Sequence, residues 1–263
     1  MKRFGLAILA VVLAHAAFAR AEEWSKTYTI SNAPDLRVET SDANIRVDTW
    51  EQKTIEATIT SAHYKFGTGG LTVEEHQSGD TVEINLHFPH EIHIMNFGNH
   101  RVDIAIHMPR QGRVNLHTGD GKIELADFIG EMELSSGDGA EEIHRVEGSL
   151  HANTGDGHIN ADGRFDALNL NTGDGRLDVR AAAGSKVAEE WMLHTGDGSV
   201  SLELPENFAA DLYLHTGDGH IDVSLPLTTE GRIKENDVRG KLNGGGKLIS
   251  VQTGDGSINL RKG

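Results

Sequence analysis

The tetrapeptide Thr/Ser-Gly-Asp-Gly recurs seven times between residues 118 and 256, and nothing else in the chain limits its fold as strongly. The copies begin at Thr118, Ser136, Thr154, Thr172, Thr195, Thr216 and Thr253. The first four aspartates, Asp120, Asp138, Asp156 and Asp174, recur with a constant period of 18. Asp197, Asp218 and Asp255 follow at intervals of 23, 21 and 37. Self-similarity at a fixed period marks a repeat architecture, in which each unit buries its apolar face against its neighbours.

The flanks of each copy define the unit. Two apolar residues at alternate positions precede the turn and two more follow it, as in Val114/Leu116 with Ile123/Leu125, or Leu168/Leu170 with Leu177/Val179. Trp191/Leu193 with Val200/Leu202, Leu212/Leu214 with Ile221/Val223, and Ile249/Val251 with Ile258/Leu260 repeat the rule. Alternation at period two means a strand with one buried face. The second pair always lies nine residues after the first, and glycines keep the same step from Gly112 through Gly121, Gly130, Gly139 and Gly148 to Gly157. A unit is therefore one short strand plus one arc. Two units make one full period, and a coil of that length returns every Thr-Gly-Asp-Gly to the same edge at the strand spacing of about 4.8 Å. Three units per coil would scatter the motif and leave the period of 18 unexplained. The fold expected is all-β: a flattened parallel β-solenoid (β-helix-like) whose two-strand coils each span one such period.

The chain divides into three parts. In residues 1–21, Lys2 and Arg3 precede an apolar run from Phe4 to Phe18, followed by small residues that fit cleavage at Ala17-Phe-Ala19 or Ala19-Arg-Ala21. This pattern predicts a secretory signal peptide, too short for a bilayer span. No cysteine follows it for lipid attachment, and no later stretch could span a membrane after its removal. Residues 22–110 read as an irregular β-rich beginning, and residues 111–263 as the repeats. Leu36/Val38 and Ile45/Val47 flank Thr40-Ser-Asp-Ala43, a degenerate first coil with Ala43 in place of a glycine. Strands are expected at Ile55–Ile59, Thr81–Phe88 and Arg101–Met108. Irregular ends suit a stack whose open edges would otherwise invite pairing. Glu141 breaks the apolar rule, so a bulge is expected at Ala140–Glu142. Loops are expected near Gly184–Glu190 and Pro205–Ala210. Leu227–Gly246 reads as an excursion or degenerate coil beneath a last strand pair that closes the C-terminus.

Charge narrows the partners. The chain has 24 Lys+Arg against 40 Asp+Glu, and loss of Lys2, Arg3 and Arg20 leaves 21 against 40, a net charge of −19. Nucleic acid and anionic lipid both require a basic surface, which argues against them as partners. Cysteine is absent although export implies an oxidising space, so stability must come from the repeated core.

Four stretches together are similar to the bacterial β-strand-repeat family known as putative adhesins, a domain of unknown function. They are Leu36-Arg-Val-Glu-Thr-Ser-Asp, Val102-Asp-Ile-Ala-Ile-His-Met-Pro109, the repeats, and the Gly-rich approach to Leu248-Ile-Ser-Val-Gln-Thr-Gly-Asp-Gly256. The resemblance covers about residues 30–263. It implies an exported β-solenoid, and it implies no defined activity.

Seven carboxylates on one edge repel one another. The residues after the motif include Lys122, His158, Arg176 and His220, which can offset that repulsion. The structural expectation is that each Asp accepts backbone N–H bonds within its own turn, with the glycines at φ > 0. The chemical alternative is a cation ladder through Asp120, Asp138, Asp156, Asp174, Asp197, Asp218 and Asp255. Calcium-binding β-rolls repeat Gly-Gly-x-Gly-x-Asp-x-apolar-x. Here Asp precedes the apolar position by three residues rather than two, so the register does not match. His87, His90, His93, His100 and His107, with Met95, crowd one region, but their spacing matches no fixed ligand set. No nucleophile triad, carboxylate pair or phosphate loop stands apart from the repeats.

The expected function is accordingly that of a non-enzymatic, periplasmic or secreted binding or structural module that needs no cofactor. Its candidate surface is the aspartate edge with a flanking row of His117, Asn153, Asn171, His194 and His215. Its partner would be an envelope protein or a glycan. A metal-binding envelope protein (calcium, or a transition metal on histidine) and a polysaccharide-active β-helix protein are the alternatives.

Overall fold

Alternation of apolar and polar residues turns nearly the whole chain into strands. The computed structural model describes residues 22–89, 101–229 and 235–263, and among these there is no helix. The signal-peptide expectation falls in residues 1–21, outside the described residues. The irregular part forms β1 (Glu22–Thr29), β2 (Asp35–Thr40), β3 (Asn44–Trp50), β4 (Thr54–Ser61), β5 (Thr72–Ser78), β6 (Thr81–His87) and β7 (Val102–Pro109). The strict repeats form β8 (Gln111–Thr118), β9 (Ile123–Ala126), β10 (Ile129–Ser136) and two long strands, β11 (Glu141–Thr154) and β12 (Ile159–Thr172). Next come β13 (Leu177–Ala181), β14 (Trp191–Thr195), β15 (Val200–Leu204), β16 (Ala210–Thr216) and β17 (Ile221–Val223). β18 (Leu227–Thr229), β19 (Asp237–Leu242), β20 (Leu248–Thr253) and β21 (Ile258–Lys262) complete the chain.

The period of 18 appears directly as register. Val114, Met132, Leu150 and Leu168 are successive Cα partners on parallel strands, and so are Ile123, Glu141, Ile159 and Leu177. The first row belongs to a ladder of strands that precede the turns, and the second to a ladder of strands that follow them. β11 and β12 run through both ladders, and in β11 the register shifts between Ile143 and Val146 and again between Gly148 and Ser149. That corner is built from left-handed backbone: Arg145 has φ 53° and its stacked neighbour Asp127 has φ 59°. Their side chains form a two-pronged ion pair at 2.8 and 2.7 Å.

The apolar pairs meet between the ladders as one core running from Tyr28 to Leu260. Trp191 and Phe165 are fully buried within it, packed edge to face with centroids 6.3 Å apart. Full burial of a leucine or isoleucine is worth about 1.5–3 kcal/mol, so a core repeated at every layer of paired strands stands in for the missing disulfides.

Three expectations need correction. First, the copies do not stack in sequence order. β20 lies between β14 and β16, and β21 lies between β15 and β17, so the last strand pair is an interior layer. The long interval before it lets the chain run past β16 as β19, which pairs antiparallel with β16, before turning back inside. The degenerate first coil is interior for the same reason: β2 sits between β6 and β8, and β3 between β7 and β9. Second, antiparallel strands rather than degenerate coils close most of the stack: β5 on β6, β1 and β4 on β7, β18 and β19 on β16.

Third, no bulge forms at Ala140–Glu142. Glu141 keeps register with Ile123 and Ile159 and points into the core, fully buried. Its N–H donates to His158 O at 3.0 Å and Ile123 N–H donates to Ala140 O at 2.9 Å, so the backbone ladder is intact on both sides. Breaking that ladder costs backbone hydrogen bonds, whereas a protonated carboxyl can be buried.

Candidate functional site

The turn edge is assembled by the first residue of each motif, not by its aspartate. Thr118, Ser136, Thr154, Thr172, Thr195, Thr216 and Thr253 are all buried. Each hydroxyl accepts the N–H of the second glycine in its own turn, as Thr154 does from Gly157 at 3.2 Å. Each also donates to a carbonyl of the neighbouring turn: Thr154 to Gly139 at 3.0 Å, Thr172 to Gly157 at 2.9 Å, Thr195 to Gly175 at 2.8 Å. Thr253 donates to Gly198 and Thr216 to Gly256, which carries the same hydroxyl ladder through the reordered copies. Thr118 donates to the Ala43 carbonyl, so the degenerate turn belongs to it too.

The motif glycines serve close approach rather than unusual dihedrals. None of them lies in the left-handed region. A Cβ on Gly157 would stand 2.0 Å from the Gly139 carbonyl oxygen, and one on Gly175 would stand 1.8 Å from that of Gly157. The first glycines chain the turns as well, with Gly155 N–H donating to Gly137 O and Gly173 N–H to Gly155 O, both at 2.5 Å. The expectation that aspartates hold the turns is thereby overturned: threonine hydroxyls and backbone groups already satisfy them.

The aspartates are left to solvent. Asp120, Asp138, Asp156, Asp174, Asp197, Asp218 and Asp255 are exposed, and no hydrogen bond or ion pair among the described residues engages their carboxylates. Along the stack their order is Asp120, Asp138, Asp156, Asp174, Asp197, Asp255, Asp218, with Asp42 of the degenerate turn before them. Three of the four residues with cationic capacity that follow the motif turn away from this column. Lys122 pairs with Glu124 at 2.7 Å, Arg176 with Asp178 at 2.7 Å and His158 with Glu142 at 3.2 Å.

Beside the aspartates, one register row brings the other candidates together. It runs Glu39, His117, Ser135, Asn153, Asn171, His194, Gln252, His215. Asn171 donates its amide to Asn153 Oδ1 at 2.7 Å. His215, at the far end, is half-buried: it stacks on Tyr213 and lies 3.6 Å from Asp237 of the antiparallel cap. Among the described residues no three His, Cys, Asp or Glu side chains converge as a metal-holding group. His87 faces Glu74 from β6, and His107 stacks on Trp50 from β7, so the two stand on different ladders. His90, His93, Met95 and His100 lie outside the described residues.

Sequence reasoning missed a polar cluster on the opposite face. His144 places Nδ1 2.7 Å from Asp162 and Nε2 3.4 Å from Glu142, which also takes His158 and the Asn160 amide. Partial burial pushes the Glu142 carboxyl up, but the hydrogen bonds from Asn160 and His158 and the charge on Lys122 hold it below its usual range. The signal was present, since His144/Asp162 and Glu142/Asn160 are each separated by one full repeat period.

Several solved structures are similar to this chain. A putative cell adhesion protein from Clostridium sporogenes is similar over 93% of this chain and 100% of its own, with 14% identity and a TM-score of 0.45. A putative adhesin from Bacteroides fragilis is similar over 93% and 98%, with 10% identity and a TM-score of 0.35. A putative lipid binding protein from Parabacteroides distasonis is similar over 91% and 96%, with 13% identity and a TM-score of 0.39. No curated protein matches the chain. The model of the Toastrack DUF4097 family matches residues 71–261, most of the sequence and all seven turns, and the chain belongs to that family.

Proposed function

We propose that the chain is an exported, flattened parallel β-solenoid with two strands in each coil and one motif period, 18, to the turn. In this reading it serves the cell envelope as an adhesin-like binding or structural module and not as an enzyme. The observation that carries the reading is the uninterrupted turn edge. Eight exposed carboxylates, counting Asp42, stand on backbone fixed by the hydroxyl ladder and by the glycine chain. A surface whose spacing is fixed before any partner arrives loses little entropy on binding, which favours recognition through many weak contacts. The row of His117, Asn153, Asn171 and His194 borders that edge and adds donors to its acceptors. The basic, apolar and small-residue pattern of residues 1–21 supports export to the periplasm or beyond.

The test combines localisation with capture. Mature protein from the native host should begin at Arg20 or Glu22. Immobilised wild type should retain an envelope protein or glycan that an Asp138→Asn/Asp156→Asn/Asp174→Asn variant retains less well. Protein that stays in the cytoplasm with Met1 in place, or equal capture by both forms, overturns the reading.

A further inference from the structure

The outer face of the first ladder carries a depression that no repeat rule predicts. Outward residues line up there in two rows: Arg113, Glu131, Ser149 and Ala167, then Asn115, Glu133, His151, Asn169 and Met192. Long side chains on β10 stand on one side and Met192 of β14 on the other. Between them Ser149 and Ala167 are short. The result is a groove of about 510 Å³, with Glu189 and Glu190 from the loop before β14 on its rim.

Two properties of the groove point to the same occupant. Met192 is 44% exposed, and it is the only exposed large hydrophobic side chain among the described residues. A single exposed apolar side chain is ordinary, but this one forms a groove wall. Three of the four carboxylates that line the groove also lack an ion-pair partner among the described residues. Arg113 is spent on Glu131, Lys186 on Asp166, and Arg164 on Glu147 and Asp166. Lys247 turns its ammonium to the Ala188 carbonyl. Glu133 accepts only the Asn115 amide, and Glu189 and Glu190 have no ion-pair partner among the described residues.

We infer that this groove binds a lysine- or arginine-containing peptide segment of an envelope partner. Lysine and arginine carry a long apolar stem beneath a cationic head. The stem packs against Met192 and Ala167 while the head reaches Glu133, Glu189 or Glu190. A concave acidic surface on a chain of net charge −16 concentrates such a ligand and turns anionic ones away. The inference rests on the binding role proposed above and adds to the turn edge a second contact on this face.

The probe is a fluorescent peptide of alternating lysine and leucine, followed by anisotropy, with a glutamate/leucine peptide as control. Wild type should bind the lysine peptide and not the control, and should bind less as salt rises from about 0.05 to 0.5 M. Glu189→Lys/Glu190→Lys should weaken binding at least about tenfold, and Ala167→Arg, which fills the groove, should do the same. Both variants alter surface positions and should melt with wild type. Asp138→Asn/Asp156→Asn/Asp174→Asn should change affinity less than about threefold. Loss of binding in that aspartate variant with the groove variants unaffected overturns the assignment, as does a wild type that does not prefer lysine. If envelope capture succeeds while the lysine peptide fails to bind, the groove inference falls and the binding role stands.

Discussion

Thr172 donates its hydroxyl to the Gly157 carbonyl of the preceding turn at 2.9 Å and accepts the Gly175 N–H of its own turn at 3.2 Å. Thr172 is 1% exposed, and both glycines are buried. Thr172→Val removes the hydroxyl and strands both backbone groups, each at a cost of about 1–3 kcal/mol. Urea unfolding should show a loss in that range or above it. Thr172→Ser keeps the hydroxyl, as Ser136 does naturally, and should lose about 1 kcal/mol at most. Equal losses for the two variants would remove the hydroxyl from its structural role.

Adjacent residues of one turn should answer very differently to alanine. On Gly157 the added Cβ meets the Gly139 carbonyl oxygen at 2.0 Å, and backbone on both sides prevents escape. Gly157→Ala should cost about 1–3 kcal/mol or more. The Asp156 carboxylate is exposed and accepts no hydrogen bond among the described residues, so Asp156→Ala should stay within about 0.5 kcal/mol of wild type. Thermal melts of the two variants decide it, and a costlier aspartate would mean that the carboxylate does hold the turn.

Legibility in the sequence followed the physics of each feature. Pairs such as Leu168/Leu170 and Leu177/Val179 were readable because burial of alternate residues is imposed on every strand of the ladders. The position of β20 between β14 and β16 was not, because the turns at Thr195, Thr216 and Thr253 are chemically interchangeable and any one can stack on any other. Glu141 defeated the apolar rule because Ile123 and Ile159 hold the ladder on either side of it. The turn edge could be read as an edge, but the roles within it were reversed. Asp is the conspicuous residue, yet the small buried hydroxyl beside it makes the bonds. The groove needs Ser149 and Ala167 side by side, a pairing that exists only once the register is known.

The exposed carboxylates also define a calcium experiment. The seven motif carboxylates accept no hydrogen bond among the described residues, so their turns are held without them, and millimolar calcium should leave the wild-type melting temperature where it is. Binding to the folded state alone would add RT ln(1 + [L]/Kd), about 2.7 kcal/mol at a hundredfold excess over Kd. A rise of that kind, lost in Asp138→Asn/Asp156→Asn/Asp174→Asn, would establish a cation ladder and displace the present reading of the edge.

Glu141 gives the fold a pH dependence of unusual sign for a carboxylate. Burial raises its pKa from 4.5 to about 8 against the opposing pull of the Ser136 backbone N–H, and neither oxygen has a hydrogen-bond partner among the described residues. The folded chain therefore keeps this proton between about pH 4.5 and 8 while the unfolded chain releases it, so more protons are bound in the folded state. Stability must then fall as pH rises through that window, by at most about 1.4 kcal/mol per unit. Below the window both states are protonated and nothing is lost; above it both are ionised and the loss is complete. Glu141→Leu restores the apolar row of Ile123, Ile159 and Leu177, and Glu141→Gln keeps the shape without the titration. Either variant, compared with wild type by urea unfolding from about pH 5 to 8, should show a stability difference that shifts steadily in the variant's favour as pH rises. A difference that stays flat across that range would mean that Glu141 reaches solvent or a cation, and that the buried, unpaired carboxyl is not the native state.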